Sequence, residues 1–356
     1  MGPLVIRADA SAAMGTGHVM RCLALAQAWR REGGDMVFVM VDSTPAIARR
    51  LEDEKFPCKL SKCTAGSVED AKALALVAAE LNSIWVAVDG YQFSSAYQRE
   101  LKQSGFKLLW IDDTGQCMPY CADLILNENV YAASAMYWER SEETSLLLGP
   151  EYVLLREEFL GWNNWRRDFR EDAKRVMVTM GGSDSQNATA QILCALARAD
   201  LDVEIDVVVG GSNPHAQTIR QRARELPRHV SIRCDVANMP EVMAGADLAI
   251  SAAGVTCYEL ALLQVPMILF ALAENQVATA KAFGDCGAAV NLGHFANSDP
   301  PGLIEAVRRL IQDVESRRFL ARKARSLVDG SGSSRVCQAL LQKPKIEASR
   351  REFVRA

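Results

Sequence analysis

Gly15-Thr16-Gly17-His18-Val19-Met20-Arg21-Cys22 sets one of only four histidines at the first turn of a helix-like segment, directly after a glycine-rich turn. Two glycines let backbone approach a ligand closely, and a helix N-terminus offers N–H groups and a positive dipole end to an anion such as phosphate. The same positive end disfavours an imidazolium, which makes His18 an expected proton acceptor. General-base chemistry beside a phosphorylated ligand is what Gly15, Gly17 and His18 could do together. A polar cap, or a packed and hydrogen-bonded histidine, would give the same local sequence. A dinucleotide fingerprint fits less well: Asp42 could hold a ribose, but Met20 stands where the third glycine belongs, and a long loop separates the glycines from the strand.

Other polar turns accompany this one. Asp9, Asp89-Gly90-Tyr91 and Asp112-Asp113 each follow an apolar run, where aspartate either forms turns and caps helices or faces a ligand. Farther on, Gly181-Gly182-Ser183-Asp184, Gly210-Gly211-Ser212 and Ser251-Ala252-Ala253-Gly254-Val255-Thr256 follow strand-like runs and can aim N–H groups at a phosphate. Glu259 could accept from ribose hydroxyls, although Thr256-x-x-Glu259 equally reads as a capping box that occupies both side chains. Asn275 and Gln276 open a further helix after a strand, where they either face the same ligand or, in the case of Asn275, cap the helix.

The elements that must hold these residues alternate. Apolar runs at Leu4–Ile6, Val37–Val41, Ile84–Val88, Leu108–Ile111 and Leu124–Leu126 are separated by helical patterns at Val19–Arg31, Pro45–Lys55, Val68–Leu81 and Ser95–Gln103. Continuous apolar strands between helices mean a parallel sheet covered on both faces, which binds ligands beyond its strand ends. After Gly149-Pro150 and the charged stretch Arg156–Lys174, the pattern restarts at Arg175–Thr179, Ile205–Val209, Val230–Arg233, Leu248–Ile250, Met267–Leu269 and Ala289–Asn291. The expected class is therefore α/β, with two Rossmann-like doubly wound domains, residues 1–156 and 170–330, facing an interdomain cleft. Residues 331–356 form a C-terminal helix and tail.

Composition limits the function classes. With 356 residues, 49% hydrophobic and 24% charged, two sizeable cores can form. A net charge of −4 argues against a nucleic-acid polymer as partner and leaves room for a small nucleotide in a local positive pocket. No apolar stretch reaches the roughly 18–20 residues of a membrane span, and Met1–Pro3 leads into a strand without a signal-peptide core, so the expected setting is the cytoplasm. The ten cysteines are scattered without a Cys-x-x-Cys pair or neighbouring histidines. They read as buried, reduced thiols, with no structural zinc expected.

Ile6-Arg7-Ala8-Asp9-Ala10-Ser11, Gly15–Cys22, Asp112-Asp113, Leu126-Asn127, Leu148-Gly149-Pro150, Gly181-Gly182-Ser183-Asp184 and Asn275-Gln276 together resemble the UDP-sugar hydrolase family of pseudaminic acid (a nonulosonic acid) biosynthesis. The resemblance runs to about Asp329-Gly330. The second half, above all Ala253–Glu259 and Asn275-Gln276, is also similar to the lipid-linked N-acetylglucosaminyltransferase of peptidoglycan synthesis. Both families share the GT-B fold. The resemblance implies metal-independent, inverting hydrolysis of UDP-2,4-diacetamido-2,4,6-trideoxy-β-L-altropyranose without a cofactor, with His18 as the base that activates water. Tyr91 and Asn275 would line the sugar, and Glu259 would hold the ribose. Gly15, Gly17, Ser183, Gly254, Thr256 and Gln276 complete the expected binding set. The chain departs from the family at Gly90, where a bulkier residue is common. A GT-B transferase and a non-catalytic UDP-sugar binding protein are the alternative readings. The expected partner is a small-molecule UDP-sugar, with no membrane, and the expected unit is a monomer.

Overall fold

A computed structural model describes residues 2–199, 201–226, 230–295 and 302–342. The first lobe runs β1 (Leu4–Ala8), α1 (Gly17–Arg31), β2 (Met36–Met40), α2 (Pro45–Asp53), β3 (Cys58–Leu60), α3 (Val68–Glu80), β4 (Trp85–Asp89), α4 (Ser95–Gln103), β5 (Lys107–Ile111), β6 (Leu124–Asn127) and β7 (Ser145–Leu148). Its seven strands are all parallel, in the order β3-β2-β1-β4-β5-β6-β7. Side-chain parity explains the layers. Leu4, Ile6, Phe38, Ala87 and Leu109 share one core with α1, while Val5, Val39, Val86, Val88 and Leu108 share the other with α3 and α4. Ser67 and Ser94 start α3 and α4 as side-chain caps, and Thr44 followed by Pro45 starts α2.

A connector with the short helix α5 (Glu157–Leu160) leads to the second lobe. This lobe runs β8 (Arg175–Thr179), α6 (Ala188–Arg198), β9 (Glu204–Val209), α7 (Ala216–Glu225), β10 (Val230–Cys234), α8 (Met239–Gly245), β11 (Leu248–Ala252), α9 (Thr256–Leu262), β12 (Met267–Ala271), α10 (Glu274–Asp285) and β13 (Val290–His294), then α11 (Leu303–Gln312) and α12 (Val314–Arg325). Its sheet has the order β10-β9-β8-β11-β12-β13, again parallel. The chain is thus two parallel-sheet α/β lobes, as its strand runs imply.

In each sheet the strand order reverses beside the first strand, between β1 and β4 and between β8 and β11. Such switch points open a crevice at the carboxyl ends of the strands. The two crevices face each other across a cleft of about 360 Å³, within the range of ligand pockets. Glycine permits close contact there: a Cβ on Gly182 would collide with Thr16 Oγ1, and one on Gly210 would strike the Gly182 backbone.

The helix α13 (Gly332–Leu341) returns to the first lobe, where Val336, Cys337 and Leu340 join the α1-side core. The tail beyond Gln342 lies outside the described residues. Two edge strands, β3 and β7, have no counterpart among the apolar runs. Of the thiols expected to be buried, only Cys22, Cys257 and Cys337 are; Cys58 is exposed because it sits on edge strand β3, and the other six are half-buried. Gly332 has no room for a side chain, since its Cβ would run into the Val153 backbone. Gly332→Ala is therefore expected to cost about 1–3 kcal/mol through overpacking and to lower the melting temperature; an unchanged melt would show that α13 is not held against this segment.

Candidate active site

His18 lies in the first turn of α1, and no side chain caps that helix. The turn before it is closed by reciprocal backbone hydrogen bonds between Ser11 and Gly15, with Gly15 in the left-handed region at φ 87°. Nδ1 of His18 is 2.8 Å from Oδ1 of Asp89, the last residue of β4. A carboxylate only accepts, so Nδ1 carries the proton and donates it; in the neutral ring Nε2 then keeps its lone pair. A helix terminus read from the sequence leaves out this carboxylate, which arrives from 71 residues away.

Asp89 is fully buried and is held by more than the imidazole. Arg21, one helical turn after His18, donates Nε to Asp89 Oδ2 at 2.6 Å and Nη2 to Oδ1 at 2.7 Å. The same guanidinium donates Nη1 to Asp113 Oδ1 at 2.8 Å and Nη2 to Oδ2 at 3.0 Å. Burial alone would raise the Asp89 carboxyl, but Arg21 and His18 together hold it well below the usual carboxylate range. Asp113 is lowered by Arg21 against the same burial.

Glu128 is the third carboxyl near this single cation. Its Oε2 accepts the Leu154 N–H at 2.7 Å, while Oε1 is 3.8 Å from Arg21 Nη1 and has no hydrogen-bond partner among the described residues. Burial outweighs the attraction of Arg21 and pushes Glu128 up to about 7.

Tyr91 joins the cluster to the second lobe. Its ring packs edge-on against His18 with centroids 4.7 Å apart, and its hydroxyl donates to Asp113 Oδ2 at 2.8 Å. Asn275 Nδ2 donates to that hydroxyl at 2.9 Å. Gly90, before Tyr91, has φ 151°, and a Cβ there would come within 2.5 Å of Gln92 Oε1. A side chain at this position would be strained by the backbone and would press on Gln92 and Phe93. Gln92 itself donates to Asp9 Oδ2 at 3.0 Å, and Asp9 also takes Arg7 Nη1 and the N–H groups of Val41 and Asp42. Asp9 therefore builds the scaffold, and Asp112 does likewise by accepting from Thr114 and Gly115 N–H.

On the facing lobe, Ser183, Gly254, Thr256, Glu259, Asn275 and Gln276 all line the cleft, as do Gly15, Gly17, His18 and Tyr91 opposite. Neither capping alternative is formed. Thr256 is already inside α9, whose start at Val255 lacks a side-chain cap, and Glu259 instead accepts from Arg156 Nη2 at 2.7 Å. The N-cap position of α10 is Ala273, not Asn275. Gln276 Oε1 accepts the Leu272 N–H at 2.8 Å and so spends its carbonyl on its own turn. Among the described residues, no cluster of three or more His, Cys, Asp and Glu could hold a metal, and no helix is long and apolar enough to cross a membrane.

Residues 175–333 match the glycosyltransferase family 28 C-terminal domain. The spore coat polysaccharide biosynthesis protein SpsG of Bacillus subtilis is 31% identical over 241 residues, covering 66% of this chain and 68% of that protein. The UDP-2,4-diacetamido-2,4,6-trideoxy-beta-L-altropyranose hydrolase of Campylobacter jejuni is 24% identical, covering 78% of this chain and 94% of that one. This chain belongs to the family of SpsG. The crystal structure of Acinetobacter baumannii MurG superimposes with a TM-score of 0.64 at 14% identity, over 96% of this chain and all of that one, and gives the fold, GT-B.

The family motif around His18 contains Arg21, whose spacing from His18 already puts the two on one helix face. Asn129, Tyr258, Thr279 and Arg156 also line the cleft, yet carry no local signal. They meet only through the fold: Asn129 Nδ2 donates to Asp113 Oδ1 at 2.8 Å, and Asn129 Oδ1 accepts from Tyr258 across the lobes at 3.2 Å.

The burial of Glu128 has a consequence for stability. Its folded value near 7 lies above the unfolded value near 4.5, so the folded protein holds the extra proton between these limits. Stability from this group is therefore greatest below pH 4.5, falls as pH rises to 7, and is level above; the span is about 3 kcal/mol. Glu128→Gln should remove that slope. Melting curves from pH 5 to 8 should rise for the variant relative to wild type as pH increases, and parallel curves would contradict the assignment.

Proposed function

We propose that this protein hydrolyses UDP-2,4-diacetamido-2,4,6-trideoxy-β-L-altropyranose to the free sugar and UDP. The observation that carries this reading is an imidazole with Nδ1 fixed on Asp89 and Nε2 left as acceptor, in a cleft faced by three strand-to-helix turns. The name of the Campylobacter jejuni relative supplies the substrate.

His18 Nε2 takes a proton from water as the water oxygen bonds to the anomeric carbon. The bond from that carbon to the β-phosphate oxygen breaks, and its electron pair leaves with UDP. Attack opposite the leaving group inverts the anomeric configuration. Backbone N–H groups of the turns bearing Ser183, Gly254 and Thr256 receive the diphosphate, with Gly15 and Gly17 close to it from the other lobe; this stabilises the leaving group, so the scheme needs no metal or cofactor. Glu259 takes the ribose hydroxyls. Tyr91, Asn275 and Gln276 border the sugar. Both lobes come from one chain, so the proposed unit is a monomer, acting in the cytoplasm on a small molecule.

The family 28 match favours one other reading, transfer of the sugar to an acceptor. Incubation with the UDP-sugar in heavy-oxygen water, without acceptor, separates the two. Release of UDP with label in the sugar is the expected outcome. Label in the phosphate would move the attack to phosphorus, and no release would favour transfer. His18→Asn should keep UDP affinity and lose roughly 10²–10⁴-fold in kcat, the usual contribution of a general base; wild-type kcat in this variant would remove His18 from that role.

A further inference from the structure

Glu259 is buried, lines the cleft, and receives two hydrogen bonds on one oxygen only. Arg156 Nε and Nη2 reach Oε1 at 3.1 and 2.7 Å, whereas Oε2 has no hydrogen-bond partner among the described residues. The guanidinium is engaged elsewhere as well. Its Nη1 donates to Glu158 Oε1 at 2.7 Å, and its face lies 5.2 Å from the centre of the Phe159 ring. All three guanidinium nitrogens of Arg156 are thus committed to carboxylates, although the residue borders the cleft.

The pairing continues into the first lobe. Glu158 also accepts from Arg50 Nη2 at 3.2 Å, and Arg50 belongs to α2. The segment that carries Arg156 is gripped from both sides: Leu154 packs in the core of the first lobe and Leu155 in that of the second. A row of alternating charges, Arg50, Glu158, Arg156 and Glu259, therefore runs from one lobe to the other along the cleft.

We propose that Arg156 is the positioning residue for nucleotide recognition: it pins one oxygen of Glu259 and turns the other toward the vicinal hydroxyls of a ribose. This rests on the reading that Glu259 takes the ribose. A free buried carboxylate would rotate about its last torsion; the two-donor clamp fixes its direction. Selectivity for a ribonucleotide over its 2′-deoxy analogue then depends on Arg156, a residue that does not touch the nucleotide.

The test is calorimetric affinity for UDP and for 2′-deoxy-UDP with four proteins: wild type, Glu259→Gln, Arg156→Gln and Arg156→Lys. Wild type should prefer UDP by roughly tenfold or more, the usual value of a hydrogen bond to a charged group. Glu259→Gln and Arg156→Gln should both bring the ratio toward one, with UDP losing more affinity than 2′-deoxy-UDP, which keeps only its 3′-hydroxyl for Glu259. Arg156→Lys keeps a cation but not the fork, so an intermediate ratio is expected and covers the case of a misfolded glutamine variant. A merely structural role would weaken both nucleotides equally and leave the ratio intact. Full discrimination in both Arg156 variants, with loss in Glu259→Gln, would overturn the positioning role alone. Full discrimination in Glu259→Gln would instead overturn the ribose reading and this proposal with it.

Discussion

Asp89 sits at the end of β4 with no exposure to solvent, and a carboxylate in that position is costly unless its charge is met by well-aligned donors. Arg21 meets it with two hydrogen bonds and His18 with a third. The consequence is geometric before it is electrostatic. The imidazole cannot turn, because its Nδ1–H is committed, and the guanidinium cannot leave, because Asp113 holds its other edge. Tyr91 is then fixed by the same Asp113, and Asn275 of the facing lobe is bonded to Tyr91. One buried anion thus orders the proposed base, an aromatic side of the site and a contact between the lobes.

That contact has others beside it, and together they show why the site lies at the seam. Thr44 Oγ1 is 2.6 Å from Ser212 Oγ, and Tyr258 reaches Asn129. Glycines at 182 and 211 remove the side chains that would press on Thr16 and Ala46 of the first lobe and hold the two strand-end crevices apart. Each parallel sheet leaves its crevice where its strand order reverses, so a two-lobed chain has two such crevices and can close one on the other. Charge is divided between them. The first lobe brings Arg21 with its carboxylates and His18, while the second brings backbone turns and Glu259, a division suited to separating a base from a leaving anion.

The fold was legible because its strands are buried on both faces and read as unbroken apolar runs between helices. Cys58–Leu60 and Ser145–Leu148 escaped that signal, since strands of three and four residues that are mostly exposed or half-buried make no unbroken buried run. The motif around His18 was legible as a local pattern, a glycine turn opening a helix. Asp89 and Asp113 were legible only as strand-end aspartates, not as its partners: they lie at different strand ends, only the sheet order brings them to Arg21, and Asn129 joins through Asp113. Thr256 and Glu259 carried a capping-box spacing that the backbone does not use, because the helix begins at Thr256 and Arg156 claims the carboxylate. Local spacing cannot announce such a competitor when it comes from 103 residues away.

Hydrolysis and transfer differ in what stands beside the base. Both need a proton acceptor and an anchored diphosphate, and the family 28 half of the chain serves either. The immediate surroundings of His18 are confining. The His18 side chain is 7% exposed, Tyr91 packs edge-on against one side of its ring at 4.7 Å, and Asn275 of the other lobe bonds the Tyr91 hydroxyl. A nucleophile that must reach Nε2 under those conditions is more easily a water molecule than the end of a lipid or glycan. The same network that fixes the imidazole therefore supports the smaller nucleophile.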